Sequence, residues 1–183
     1  GLAVQDRDLV ISTHGRSFWV LDDIETLRQV RADVAKADAH IFAPADAIRR
    51  SVPAVLDYYV SGIDREVRLD VLDEEGELVR TLFQGTRNEG TYRETWNLRY
   101  PGAVTFEGLV LEGGNPAIGP WSPPGRYEAR LTVDGDVQVA AFNLKRDPRL
   151  TGVTDADLIA QFNLALAIRD AESKANGSVL LIR

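Results

Sequence analysis

The sequence predicts an all-β fold, a two-sheet β-sandwich, followed by a C-terminal α-helix. Three observations predict it. Apolar and polar residues alternate with period two through Val67–Leu72 and again through Tyr127–Val133, each run leading into a turn signal. Six to eight short β-rich runs, separated by turn residues, fit between His40 and Arg146, and two packed sheets are the economical way to bury that many in about 100 residues. After Asp147-Pro148 the apolar spacing changes to that of a helix.

The elements follow in order. Asp8–Ser12 and Ser17–Leu21 are β-rich runs about the turn Thr13-His14-Gly15-Arg16, which predicts a hairpin. Their near-continuous apolar residues ask for burial on both faces, as in the inner part of a larger sheet. Asp22 and Asp23 stand where a helix N-cap would, ahead of Ile24, Leu27 and Val30 at helical spacing, so a short connector helix is expected. His40–Ala43 and Val55–Val60 read as strands, the first stopped by Pro44. Val67–Leu72, the turn Asp73–Gly76 and Leu78–Leu82 make a hairpin, and Tyr92, Glu94 and Trp96 share one face of the next strand, its inner one.

Gly102 to Pro124 is a long Gly- and Pro-rich excursion with room for one strand in the run Val104–Leu111. Tyr127–Val133, the preferred turn pair Asp134-Gly135 and Val137–Ala141 form the second hairpin. Thr154-Asp-Ala-Asp157 has the form of a capping box. Leu158, Phe162, Ala165, Leu166 and Arg169 then fall on one helical stripe, expected to end near Asn176-Gly177, while Val179–Ile182 is too short to classify and the chain stops at Arg183.

Composition narrows the function. With 44% hydrophobic and 27% charged residues the chain belongs among globular proteins with a sizeable core. Its 21 Lys and Arg against 28 Asp and Glu give a net charge of -7. Arg49 and Arg50 adjoin, but with Asp46 and Asp57 close by in sequence no basic gathering is expected, and nucleic acid is not expected as a partner. No run approaches the roughly 20 apolar residues of a membrane helix, so no membrane span is expected. The absence of Cys excludes disulfides, thiol nucleophiles and thiolate metal sites. The absence of Met, even at position 1, fits a chain whose natural start lies upstream.

Two sets of segments carry a resemblance. Asp8 to Asp23, reading DLVISTHGRSFWVLDD, resembles the last propeller strands of large bacterial proteins with sialidase-type BNR repeats, often named glycosyl hydrolases and related to sortilin-type propellers. WNLRYP at Trp96–Pro101, PGRY at Pro124–Tyr127, LTVDG at Leu131–Gly135 and KRDPR at Lys145–Arg149 are similar, in the same order, to the region following that propeller. Asn97 departs from the pattern, where Asp is common. The resemblance implies that residues 1–23 are terminal strands of an upstream β-propeller. It implies further that 24–39 connect, that 40–147 are an immunoglobulin-like or fibronectin-like sandwich, and that 148–183 are a helix and tail. Val67–Leu82 and Pro124–Val133 also resemble the immunoglobulin-like fold of the flagellar hook-cap protein. The partner so implied is the propeller of the same parent chain, and the implied location is extracellular or periplasmic.

No catalytic, cofactor or metal residues emerge. His14 beside Ser12 and Ser17 reads as a turn residue, with only sequence proximity to suggest a triad. Two His without Cys or ligand spacing make zinc improbable. Asp73–Glu77 reads as a solvated turn, lacking the alternating spacing of a calcium loop. Trp121, set among glycines and prolines in a loop, and Tyr100 are the candidate recognition residues for protein or glycan, while Trp96 belongs to the core. The expected role is a non-catalytic scaffold or interaction domain. The alternatives are a carbohydrate-binding module or an accessory part of an exported propeller glycoside hydrolase, the latter requiring His14, Arg16 and Asp22 to converge in one pocket.

Overall fold

Period-two alternation becomes strand pairing almost everywhere it occurs. A computed structural model describes residues 1–5, 7–110 and 113–182. In chain order the elements are β1 (Leu2–Gln5), β2 (Asp8–Ser12), β3 (Phe18–Leu21), α1 (Glu25–Gln29), β4 (Ala39–Ile41), β5 (Ala47–Ile48), β6 (Ala54–Val60), β7 (Arg65–Leu72), β8 (Leu78–Arg87), β9 (Gly90–Trp96), β10 (Gly125–Val133), β11 (Asp136–Lys145) and α2 (Asp155–Ile182). They form three sheets, ordered β1-β2-β3, β4-β6-β9 and β5-β11-β10-β7-β8. Among the described residues only β5, joined to β11, pairs in parallel. The fold is therefore a β-sheet domain followed by a long C-terminal helix.

The two expected hairpins stand. Asp73 closes the first turn by accepting the Glu77 N–H at 2.8 Å. Asp134 (φ 49°) and Gly135 (φ 96°) both take positive φ, as a two-residue turn of the primed type requires. Inward residues of the second and third sheets meet in one cluster: Leu56, Tyr58 and Val60 from β6, and Val67, Leu69, Val71, Leu131 and Val133 from β7 and β10, are at most 2% exposed. Trp96 fills the space between the sheets, its ring centroid 5.1 Å from Tyr127 and 6.2 Å from Phe142. At the sheet edges Gln138 of β11 accepts the Ile41 N–H at 3.1 Å and donates to the Ala39 carbonyl at 2.9 Å, tying β4 to the larger sheet.

On the opposite face of β7, Asp70 is 1% exposed. The register places Thr81 and Arg130 directly across from it, and it accepts hydrogen bonds from Thr81 at 2.7 Å, Arg68 at 2.8 Å and Arg130 at 3.0 Å. Burial alone would raise its pKa, but these three donors outweigh it and hold the carboxyl below the usual range.

The structure corrects several expectations. β1 adds a third strand to the N-terminal hairpin, and the apolar residues that the sequence assigned to the inner part of a larger sheet stand exposed in this chain: Phe18, Trp19, Val20 and Leu21 are 73%, 65%, 55% and 50% exposed. The N-cap position of the first helix is Ile24, one residue later than expected, while the Asp23 carboxylate both accepts the Glu25 N–H at 3.4 Å and pairs with Arg7 at 2.7 Å. The excursion after β9 contains no strand among its described residues, and Leu111 at the end of its apolar run lies outside them. α2 does not stop at Asn176-Gly177 but continues to Ile182, while Arg183 lies outside the described residues. Asn176 is 9% exposed and donates to the Val104 carbonyl at 2.7 Å, a tertiary bond that offsets the helix-breaking tendency of the pair. At the other end of α2 the capping box forms, with Asp157 N donating to Thr154 Oγ1 at 3.2 Å and Thr154 N to Asp157 Oδ2 at 2.8 Å. No helix among the described residues is long and apolar enough to cross a membrane.

Two outcomes test this packing. Trp96→Ala should cost about 3–5 kcal/mol in urea denaturation, whereas Trp19→Ala on the exposed sheet should change stability by less than about 0.5 kcal/mol. Asp70, with its folded pKa below the unfolded value, contributes stability above an unfolded pKa of about 3.9 and loses it as pH falls toward the folded pKa. The urea midpoint should therefore drop below about pH 4, and more gently in Asp70→Asn, which begins from a lower midpoint at neutral pH.

Candidate functional site

Four segments distant in sequence wall one open cleft of about 560 Å³. The first is the turn after β5, closed by reciprocal bonds between Ile48 and Val52 at 2.9 and 2.8 Å. It carries Arg49 inward, 3% exposed, where Nε donates to the Ser122 carbonyl and Nη2 to Gln161 Oε1, both at 2.9 Å. Arg50 follows at φ 65°, a left-handed conformation that costs a non-glycine residue roughly 1–3 kcal/mol and persists where surroundings hold it.

The second wall begins where β9 ends. Leu98 takes φ 62° and the Trp96 indole N–H donates to the Arg99 carbonyl at 3.0 Å, reversing the chain. Asn97 Oδ1 accepts the Arg99 N–H at 3.2 Å, so the residue that departs from the resembled pattern here serves as a turn acceptor. The Arg99 guanidinium lies 3.8 Å from the centroid of the Trp121 ring and donates to the Gly119 carbonyl at 2.7 Å, while Arg50 approaches the same ring at 5.7 Å.

The glycine-rich excursion is the third wall. It folds back on the 99–103 segment through Tyr100 N to Pro120 O at 3.0 Å and Ala103 N to Pro116 O at 2.7 Å. A Cβ on Gly119 would lie 1.9 Å from the Tyr100 carbonyl oxygen, and one on Gly102 would lie 2.3 Å from that of Pro116. Only glycine allows these two strands of backbone to meet. Helix α2 is the fourth wall, through Phe162, Ala165, Ile168, Arg169 and Glu172.

Charge distinguishes the cleft. Among the described residues Arg49, Arg50, Arg99 and Arg169 line it with a single carboxylate, Glu172, in a chain whose net charge is -7. Arg169 is paired with Asp170 at 2.5 Å, but among the described residues no carboxylate pairs with Arg49, Arg50 or Arg99. Burial lowers the Arg49 pKa, and the charges of Arg50 and Arg99 lower it further; burial and Arg50 lower that of Arg99. The expectation of no basic gathering is thus corrected. Asp46 is taken by Lys145 at 2.6 Å, and Asp57 by Arg93 through two 2.7 Å bonds, so neither acid neutralises the pair.

Of the two candidate recognition residues, Trp121 lines the cleft, half-buried between guanidinium groups and not freely exposed as its loop position suggested. Tyr100 lies behind the wall, its ring 4.7 Å from that of Phe162 and its hydroxyl donating to Asp73 at 3.4 Å. Burial, then the Asp73 charge, raises its pKa, and its role here is to hold the loop against α2. Sequence reasoning missed Arg99, Gln161 and Arg169. The signal available was the Arg49-Arg50 pair together with a long Gly- and Pro-rich loop that had to fold onto something.

His14 and Arg16 are exposed in the turn before β3, and Asp22 follows that strand. Four residues of strand hold them roughly 13 Å apart, so the convergence required of a hydrolase accessory site does not occur. Among the described residues no group of three or more His, Cys, Asp or Glu could hold a metal ion. No protein-family model matches this chain, and no curated protein is significantly similar to it.

Gly119→Ala tests the construction of the cleft. The backbone clash should lower stability by about 1–3 kcal/mol and displace the loop, read as altered Trp121 fluorescence with the far-ultraviolet circular dichroism retained.

Proposed function

We propose that this chain is a non-catalytic interaction domain with two working faces. The sheet β1-β2-β3 docks on further β-structure, and the arginine-lined cleft at Trp121 takes a ligand. The observation that carries the reading is the exposure of β3: four consecutive large apolar residues, two on each face, lie in solvent at 50% or more. An isolated three-stranded sheet with both faces apolar is satisfied by neighbouring sheets.

The occupant is an upstream propeller of the same parent chain, as the resemblance of Asp8–Asp23 implies. A propeller blade is a four-stranded antiparallel meander, and three antiparallel strands in meander order are what residues 2–21 supply. On this reading the two sheets sharing Trp96 act as an immunoglobulin-like or fibronectin-like sandwich that braces the propeller. The parent is exported, to an extracellular or periplasmic location.

The test is hydroxyl-radical footprinting read by peptide mass mapping. Trp19 should be oxidised freely in this chain and poorly in the longer parent, where blades cover β3, with the buried Trp96 protected in both. Equal oxidation of Trp19 in both would remove the docking face. Hydrolysis of any member of a polysaccharide panel by the purified chain would overturn the non-catalytic reading.

A further inference from the structure

Among the described residues three guanidinium groups of the cleft have no carboxylate partner, and one of them is almost fully buried. Crowding like charges in a partly desolvated cleft is unfavourable unless something anionic offsets it. Stacking fixes the plane of Arg99 on Trp121, and the bonds of Arg49 to Ser122 and Gln161 fix a second guanidinium. Planar guanidiniums so held are suited to carboxylate oxygens.

The remainder of the lining narrows the ligand. The amide oxygens of Asn115 and Gln161 are engaged, on Ala117 N at 3.0 Å and Arg49 at 2.9 Å, which leaves their N–H groups for hydroxyl oxygens. Ile118 and Ile168 supply apolar surface beside them. The cleft's 560 Å³ far exceeds an inorganic anion and falls in the range of ligand sites for small organic molecules.

We infer that the cleft binds an acidic saccharide, with a uronate carboxylate held among Arg49, Arg50 and Arg99 and the sugar ring against the Ile118 and Ile168 side. The inference rests on the cleft's being a recognition site, as proposed above. It assigns that site a chemical class, and makes affinity fall as salt rises.

Isothermal titration of the intact chain with trigalacturonate, neutral galactotriose, hexaglutamate and inorganic phosphate tests it. Trigalacturonate should bind and the other three should bind at least tenfold more weakly. Arg50→Gln, at an exposed turn residue whose side chain makes no hydrogen bond among the described residues, should weaken trigalacturonate about tenfold or more at an unchanged melting temperature, and Arg80→Gln on β8 should not. Equal binding of galactotriose, insensitive to Arg50→Gln, would overturn the acidic class and leave the recognition reading in place. Hexaglutamate or phosphate binding as tightly as trigalacturonate would replace the saccharide with a simple anion. Binding of none of the four would overturn both the inference and the recognition role of the cleft.

Discussion

Trp96 is the residue on which both the fold and the cleft depend. Fully buried at the end of β9, it fills the space between the two sheets that share the core and touches Tyr127 and Phe142 of the opposite sheet. Its indole N–H is a polar group that must be satisfied once buried, and the Arg99 carbonyl satisfies it. That bond fixes the chain reversal at Leu98 and thereby sets where the Arg99 guanidinium emerges. Core packing and the geometry of the cleft are two consequences of one side chain.

From that point the site is assembled by backbone contact and charge. The excursion from 102 to 124 has no strand among its described residues, yet it is pinned by hydrogen bonds at 100, 103 and 122 and by two glycines that permit close approach. Helix α2 lies against it, with Tyr100 on Phe162 at one end and Asn176 on Val104 at the other. The acids adjoining Arg49 and Arg50 in sequence are drawn to Lys145 and Arg93, so the cleft stays cationic in an acidic chain. Packing decides the local charge here, and the net charge does not.

Much of the fold was legible because it is local. The alternation in β7 and β10, the Asp134-Gly135 turn and the Thr154 to Asp157 box each state a structure within a few residues. What was not legible depends on distant partners. Asn176-Gly177 reads as a helix end until Val104 is placed beside it, and the stripe that sequence traced to Arg169 continues through the less apolar Glu172, Ser173 and Asn176. β5 has two residues and exists through parallel pairing with β11. The cleft was the least legible feature, since its walls come from residues near 50, 99, 119 and 165. Trp121 was identified there for its loop position, and its arginine neighbours only when the chain folds.

The central claim is that these four walls form a single binding site. Hydrogen–deuterium exchange of the intact chain, with and without trigalacturonate, reads each wall separately. The account predicts slowed exchange together at 48–52, 98–101, 113–121 and 161–172, with β1-β2-β3 unchanged. Protection confined to the N-terminal sheet, or to one wall alone, would contradict it.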